Sequence, residues 1–581
     1  MRESDATALA RGNGRLAVGP GRTSAAAVRK EIEGPVVADT DRNVTALRPD
    51  APSALPAPEL VLPEVPPGNE IELKLLVEPG RLADFDDAPV ITAHARNKGA
   101  RWHLKSVYYD TRKRLLWRNG LTLRVRQIGS RFVQTVKTQE TQETDNPLRR
   151  GEWEASVSSL QPDLALALPF IPARLRDGLT EDKLETVFVS DIHRHQRLLD
   201  LPTGTVEVAF DQGVITAGER TLPVNEIELE LKSGSTVAIY EIARRLAEHG
   251  PLRPSIHAKS ARGFDLAAHR APTAEKPRKL SLDPAVSLDE SFAVVLRGCF
   301  THLLQSIPAA EDGRDVEGVH QLRVALRRLR AALQLMHTIG AWSRLESLRS
   351  DARWLAQSLS AARDWDVFQT ETLPVVAKAC PSLGGFAALG EIAERHRTTA
   401  YRRIRAALSD RRATSFLLGL GEWIETRGWR SDISPETLGQ LAQPAIDFAA
   451  TVLQARHAKV QKRGRHFKSL TPEQRHKLRL ALKKLRYSVD FLLPLYSDRK
   501  PARKYARRLA ALQQQLGGYN DMATTTRLLA GLGADSTDGA IAAAAITGWQ
   551  AHAMNGVEAA LREAWRGFAH ATPPWSSASE A

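Results

Sequence analysis

Two segments of this chain alternate strictly between charged and apolar residues, and they constrain its fold more than any other feature. One covers residues 70–74 (EIELK) and the other covers residues 226–232 (EIELELK). Successive side chains of a β-strand point to opposite faces, so each segment predicts a strand with one ionic and one apolar face. Like charges in a row repel unless a cation lies among them, and hard divalent cations prefer carboxylate oxygens. The pattern therefore predicts a divalent metal held by these strands.

Further segments alternate in the same way between the two acidic ones. They cover residues 121–127 (LTLRVRQ), 133–137 (VQTVK), 150–154 (RGEWE) and 207–211 (EVAFD). Many short strands that each carry one charged face favour a closed barrel with an ionic interior over a sheet with an apolar core on both sides. An interior with both cations and carboxylates suits a metal complexed to a polyanion.

The second half of the chain has helical periodicity and an internal repeat. Residues 320–330 (HQLRVALRRLR) recur as residues 476–486 (HKLRLALKKLR), which predicts a duplication. On a helix, the cationic residues of each copy share one stripe and the leucines form the adjacent one. One alternative is that each stripe is a solvated face and that each histidine only caps or orients its helix. The two predicted stripes are His320, Arg323, Arg327 and Arg330, and His476, Arg479, Lys483 and Arg486.

Changes in composition divide the chain into four parts. Residues 1–68 are rich in Ala, Gly and Pro and predict a disordered tail and linker. Residues 69–270 carry the strand patterns, residues 271–285 form a second linker, and residues 286–575 carry the helical patterns. The predicted fold class is multidomain α+β, with an antiparallel β domain followed by an all-α duplicated helical bundle.

Composition limits the class of partner and the compartment. The chain has 581 residues and a net charge of +14, which favours an acidic partner. Its two cysteines, Cys299 and Cys380, are far apart, which argues against a zinc site or a disulfide framework. No run of 18 apolar residues and no signal sequence is found, so we expect a cytoplasmic protein without a membrane partner.

The first half resembles the CYTH domain of triphosphate tunnel metalloenzymes, over about residues 69 to 268. The matching segments are Glu70-x-Glu72-x-Lys74, Tyr109-Asp110-Thr111, Leu123-Arg124-x-Arg126, Lys137, Arg150-x-Glu152-x-Glu154, Glu226-Ile227-Glu228 and residues 255–260 (SIHAKS). The resemblance implies an eight-stranded antiparallel tunnel. It also implies that the tunnel binds a triphosphate with Mg²⁺ or Mn²⁺ and cleaves a phosphoanhydride bond.

The same resemblance implies roles for individual residues. The implied metal ligands are Glu70, Glu72, Asp211, Glu226, Glu228 and Glu230. The residues implied to bind the substrate are Lys74, Arg124, Arg126, Lys137, Arg150, Arg197 and Lys259. Glu152 and Glu154 would complete the metal shell or position the attacking water.

The second half, about residues 286 to 570, resembles the CHAD domain. That resemblance implies a basic surface that binds inorganic polyphosphate, and an association with polyphosphate granules. Nucleic acid is the competing ligand, but aromatic residues make up only 6% of the chain, so specific base recognition is not expected.

The whole chain then predicts an inorganic triphosphatase fused to a polyphosphate-binding module. The alternatives are a noncatalytic polyphosphate-binding scaffold, a thiamine triphosphatase and a nucleotidyl cyclase. The oligomeric state does not follow from the sequence.

Overall fold

The computed structural model describes residues 70–138, 149–150, 152–340, 342–431, 433–496, 499–532 and 537–575. The predicted N-terminal tail lies outside these residues. The side chains of Glu70, Arg150 and Glu152 also lie outside the described part, so their predicted roles stay predictions.

The first part of the described chain forms antiparallel strands. They are β1 (Glu70–Val77), β2 (Ala100–Thr111), β3 (Leu121–Ile128), β4 (Arg131–Thr138), β5 (Arg149–Arg150), β6 (Glu152–Val157), β7 (Leu184–Leu201), β8 (Gly204–Ala217), β9 (Arg220–Gly234) and β10 (Leu252–Ser255).

The hydrogen-bonded strands follow the order β10-β1-β9-β8-β7-β2-β3-β4-β6, and the two-residue β5 pairs with β1. This path contains nine strands, one more than the predicted eight, because the short β10 also pairs with β1. At the far end of the path, β6 is separated by residue 151 alone from β5, and β5 pairs with β1, so the described strands lead around to β1 again. The predicted antiparallel sheet followed by a helical part is confirmed.

Short helices lie among the strands, and longer ones form the second half of the chain. The first group is α1 (Leu82–Asp86), α2 (Pro89–His94), α3 (Leu115–Arg118), α4 (Leu164–Ala167), α5 (Ala173–Arg176), α6 (Val237–His249) and α7 (Lys259–Ala267). The second group is α8 (Leu288–Asp312), α9 (Val316–Met336), α10 (Ser343–Ser358), α11 (Ser360–Val367), α12 (Leu373–Ala379), α13 (Phe386–Leu408), α14 (Arg411–Glu425), α15 (Pro435–Ala442), α16 (Ala445–Gly464), α17 (Pro472–Leu492), α18 (Arg499–Gly531) and α19 (Thr537–Ala569). Within the described ranges, no helix is both long and apolar enough to cross a bilayer.

The two acidic strands are neighbours, and their alternation separates an apolar face from an ionic one. Glu72 pairs with Glu230 and Lys74 pairs with Glu228, because β1 and β9 are antiparallel partners. The apolar residues of both strands pack in one core with helix α6. The charged residues point to the other side of the sheet, which we call the ionic face.

Helix α7 covers one end of the ionic face. Phe264 of this helix packs edge-on against Phe188, and Phe188 stacks on Tyr108 with ring centroids 4.2 Å apart. Gly263 is required beside them, because an added Cβ would lie 2.2 Å from the Phe188 ring. This packing fixes the start of α7, where Lys259 lies.

Helices α9 and α17, which carry the repeated segments, pack against each other. The leucine stripe of α9 is fully buried, as its periodicity predicts. The guanidinium of Arg328 on α9 lies 5.3 Å from the ring centroid of Phe491 on α17. The repeated segments are therefore adjacent in space as well as similar in sequence.

A continuous contact, which we call the seam, joins the sheet to the helical part. Leu418 of α14 is part of the same apolar core as Tyr240 of α6. An added Cβ at Gly421 would lie 2.7 Å from the Tyr240 hydroxyl, so this glycine lets the two helices approach closely. The hydroxyl of Thr414 donates to the carbonyl of Leu252 on β10.

Candidate active site

Three carboxylates lie together on the ionic face. Asp211 of β8 pairs directly with Glu226 of β9, and Glu228 follows two residues later on the same face. Asp211 and Glu226 have no solvent exposure. One carboxylate oxygen from each residue lies within 4.8 Å of the other two. This carboxylate trio has the donor chemistry that a hard divalent cation requires, so the residues fit Mg²⁺ or Mn²⁺.

Lysine and arginine side chains neutralise the carboxylate trio. The ammonium of Lys259 lies 2.6 Å from Asp211 and 2.9 Å from Glu228, and it also contacts Glu226. Lys74 lies 2.6 Å from Glu228 and contacts Glu72. The ion pairs join four carboxylates to four cations, namely Glu72, Asp211, Glu226 and Glu228 to Lys74, Arg194, Lys259 and Arg262.

Mutual neutralisation keeps these buried groups charged. Burial by itself would raise the pKa of Glu228, but Lys259, Lys74 and Arg194 outweigh it and hold that pKa well below its usual value. Burial would lower the pKa of Lys259, but the carboxylate trio outweighs it and raises that pKa. Glu228 and Lys259 therefore stay charged at neutral pH, and any new ion must compete with partners already in place.

A cationic part of the ionic face lies on β3. Arg124 and Arg126 are two residues apart and share this face. The Nε of Arg126 donates to the hydroxyl of Ser106 at 3.0 Å. Burial and the charge of Arg124 lower the pKa of Arg126 to about 10. Burial raises the pKa of Tyr108, but Arg124 and Arg126 outweigh it and lower that pKa, so the local potential is positive and favours an anion.

The remaining predicted residues occupy the edges of this arrangement. Lys137 of β4 pairs with Thr122 of β3 and faces the same side as Arg124. Glu154 of β6 accepts a hydrogen bond of 3.1 Å from the Thr135 hydroxyl and lies 3.8 Å from Arg124. Glu230 lies outside the carboxylate trio and binds Lys232 at 2.7 Å, so its predicted role as a metal ligand has no support from geometry.

Arg197 is not on the ionic face, contrary to its predicted role in substrate binding. It pairs with Val208, whose side chain lies in the apolar core that includes α6. Its guanidinium lies 3.1 Å from Asp86, which also forms a 2.6 Å hydrogen bond with His195. Three positions separate Arg197 from Arg194 on one strand, so the two side chains point to opposite faces.

Arg194 and Arg262 were missed by the sequence reasoning. Arg194 forms two hydrogen bonds with Asp211, of 2.7 and 2.6 Å, and also contacts Glu228. Arg262 extends from α7 to Glu226. Arg194 belongs to a segment, residues 193–197 (HRHQR), with basic residues on both faces. Pairing with β8 decides which face is which, and no local pattern encodes that.

The predicted cationic stripe of α9 is half-buried. Arg323 donates to the Ser360 hydroxyl at 2.8 Å. Burial lowers the pKa of His320, and the positive charge of the nearby Arg363 lowers it further. Burial lowers the pKa of Arg330, and the positive charges of Arg353 and Arg349 on α10 lower it further. The stripe therefore continues onto α10 and α11, a clustering that the repeat alone did not reveal.

The stripe of α17 is more exposed and lies beside another group of cations. His476 is exposed, and Arg486 lies 3.2 Å from Asp490 four residues later. Arg486 thus has an acidic i, i+4 partner, as a residue of a solvated helix face would have. Burial lowers the pKa of Lys484, and the positive charges of three residues on α16 lower it further, namely Lys459, Arg456 and Arg463. Like charges are concentrated here, as a polyanion site would require.

Comparison with known proteins identifies both halves. The CYTH domain model matches residues 68–264, and the CHAD domain model matches residues 294–530. An inorganic triphosphatase of Haemophilus influenzae is 30% identical over 210 residues, which cover 34% of this chain. The chain spans about half of that relative, or 54% of its length.

Two solved structures resemble parts of this chain. The CHAD domain from the plant Ricinus communis is 30% identical, covers 52% of this chain and 98% of its own, and gives a TM-score of 0.45. PptA from Streptomyces chartreusis is 17% identical, covers 48% of this chain and 100% of its own, and gives a TM-score of 0.37. On the two family matches, this chain contains a CYTH domain followed by a CHAD domain.

Proposed function

We propose that this chain hydrolyses a phosphoanhydride bond of inorganic tripolyphosphate on the ionic face, with Mg²⁺ or Mn²⁺, and binds inorganic polyphosphate through its helical part. The observation that carries the hydrolase proposal is the carboxylate trio on the same face as Arg124 and Arg126. The Haemophilus influenzae relative, named an inorganic triphosphatase, supports this substrate class.

In this proposal, the carboxylate trio holds the divalent ion, and the basic residues bind phosphate oxygens. The ion, when bound, would neutralise charge on the phosphates and polarise the bond that breaks. Arg124 and Arg126 bind the anion from β3, and guanidinium groups suit phosphate because they can donate two parallel hydrogen bonds. Lys74 and Lys259 already contact the carboxylates, so a bound phosphate would compete with those carboxylates for the two ammonium groups.

Glu154 is the described residue best placed to orient the attacking water. Its carboxylate is fixed by the Thr135 hydroxyl and remains about half exposed, at 53% of its side chain. A carboxylate in that position can accept a proton from water while Arg124, 3.8 Å away, binds the substrate. The attacked terminal phosphorus would leave as orthophosphate, and the rest of the substrate would leave as pyrophosphate.

Polyphosphate binding is assigned to the stripes of α9 and α17 and to the cations beside them. The supporting observation is the lowered pKa of Arg330 and of Lys484, since both are surrounded by further cations as well as partly buried. A polyanion that neutralises such a cluster releases counterions and binds strongly at low salt.

Replacement of Glu228 by Gln tests the hydrolase proposal. We expect phosphate release from tripolyphosphate to fall by orders of magnitude, because the carboxylate trio loses one charge. Binding of tripolyphosphate should persist, since the basic residues remain. The assay measures phosphate release from tripolyphosphate, ATP, thiamine triphosphate and long-chain polyphosphate, with Mg²⁺, Mn²⁺ or a chelator.

Glu219→Gln is the matched control, because Glu219 is exposed at the turn between β8 and β9. Full turnover in the Glu228 variant at saturating Mg²⁺ would refute the metal assignment. Binding of tripolyphosphate without hydrolysis by the parent chain under every condition would favour the noncatalytic scaffold. Preference for ATP or thiamine triphosphate would redirect the assignment to another activity of the tunnel family.

A further inference from the structure

A second group of metal-ligand side chains lies on the sheet, away from the carboxylate trio. His103 of β2 and His193 of β7 are direct cross-strand partners. Asp191 precedes His193 by two residues on β7, so its side chain shares the same face. We call these three residues the outer cluster.

The outer cluster faces away from the ionic face. Arg194 follows His193 directly and points to Asp211 on the ionic face, so His193 points to the opposite side. Both histidines are exposed and Asp191 is half-buried. An ion bound here could not also contact the carboxylate trio.

The side chains of the outer cluster are already close enough to share one ion. The imidazole rings are stacked, with centroids 4.7 Å apart and planes within 11°. The Nε2 atom of His103 lies 2.6 Å from Asp191 Oδ1. One ligand atom from each residue lies within 4.8 Å of the others. Metal bonds of about 2.0–2.2 Å in a tetrahedral site place ligand atoms about 3.3 Å apart, so small rotamer changes suffice.

The donor set determines which ions fit. Two imidazoles and one carboxylate suit Zn²⁺ and its neighbours in the first transition row, whereas Mg²⁺ prefers oxygen ligands alone. The carboxamide of Gln212, the cross-strand partner of His193 on β8, lies on the same face and is exposed. Solvent or this side chain can complete the coordination.

We propose that His103, Asp191 and His193 form a transition-metal site on the outer face of the sheet, separate from the site of hydrolysis. The ion links β2 to β7 through side chains from both strands. Lys105, the cross-strand partner of Asp191, lies beside the site and its positive charge limits the affinity.

Titration of the untagged full chain with ZnCl₂ tests this site, in the presence of saturating MgCl₂ to occupy the carboxylate trio. We expect one equivalent of Zn²⁺ to bind with low-micromolar affinity. The double variant His103→Ala, His193→Ala should lose this binding, and Asp191→Asn should weaken it. Loss of a ligand should cost at least the roughly 10–100-fold that is typical for loss of an outer-shell partner.

His552→Ala is the matched control, because His552 is exposed on α19 and belongs to neither site. Its Zn²⁺ affinity should equal that of the parent. Electron paramagnetic resonance of the Cu²⁺ complex gives a second measurement, with coupling to two imidazole nitrogens expected in the parent and to one in a single-histidine variant. Unchanged Zn²⁺ affinity in the double variant, or abolition of Zn²⁺ binding by Mg²⁺ in the parent, would overturn the proposal.

Discussion

Lys259 occupies the position where its charge matters most, so its replacement by Gln should change both stability and metal response. Its ammonium contacts all three carboxylates of the trio, and its side chain is only 11% exposed. Removal of one partner from a buried ion pair costs about 3–5 kcal/mol, because the remaining charge is left uncompensated. For a domain of about 150–250 residues, each kcal/mol lowers the melting temperature by roughly 2–4 °C. The sheet transition should therefore fall by about 6–20 °C in a chelator.

Added metal should then restore more stability to the Lys259 variant than to the parent. In the parent, a divalent ion has to displace the Lys259 ammonium, whereas in the variant the carboxylates are already available. An ion at about 100 times its dissociation constant contributes about 2.7 kcal/mol, so most of the loss should be recovered.

Thermal unfolding with a chelator and with Mg²⁺ or Mn²⁺ measures both effects, and metal titration calorimetry should show tighter binding to the variant in the absence of substrate. Lys183→Gln is the control, because Lys183 is exposed. If metal stabilises parent and variant equally, Lys259 does not compete with metal and this reasoning is wrong.

Two further predictions concern the helical part. Neutralisation of its stripes should weaken polyphosphate binding and reduce the slope of log affinity against log salt by up to roughly 0.7–0.9 per lost phosphate contact, measured by salt-dependent titration. In the variant, Gln replaces Arg323, Arg327, Arg479 and Lys483. In the control, Gln replaces the exposed Arg402, Arg403, Arg503 and Lys504, so the control also loses three arginines and one lysine. Equal polyphosphate affinities of variant and control would show that the stripes are solvated faces. Burial, and to a smaller extent the positive charge of Arg328, lowers the pKa of His302 to about 4, below its unfolded value of about 6.5. The stability that His302 contributes is therefore present above pH 6.5 and is lost as the pH falls toward 4. Urea unfolding should show a loss on the order of 3 kcal/mol across that window, and His302→Gln should flatten this dependence; an unchanged pH profile would exclude His302 as its cause.

The pairing of the ionic residues could be predicted from sequence because a strand has a period of two. Glu226 and Glu228 had to share a face, and so did Arg124 and Arg126, whatever the rest of the chain did. Asp211 joined them because its own segment alternates in the same way.

Other parts of the site depend on long-range pairing and could not be predicted. The interior position of Arg194 follows from its pairing with Asp211, 17 residues away. Arg262 lies on a helix, where a two-residue period gives no guidance, and its position depends on the packing of Phe264 against Phe188. The additional pairing of β10 with β1 could not be predicted either, because a four-residue strand is too short to show an alternation.

Because of the seam, we expect the sheet domain and the helical domain to evolve together. Leu418 completes the apolar core on which β1 and β9 rest, and Thr414 binds the carbonyl of Leu252 on β10, which pairs directly with the strand that carries Lys74. A lineage that lost the helical half would expose Tyr240 and the apolar face around it, so new polar residues would have to arise on α6 before the sheet could remain soluble alone. Substitutions on α14 and α6 should therefore be selected together, although neither helix carries a residue of the carboxylate trio.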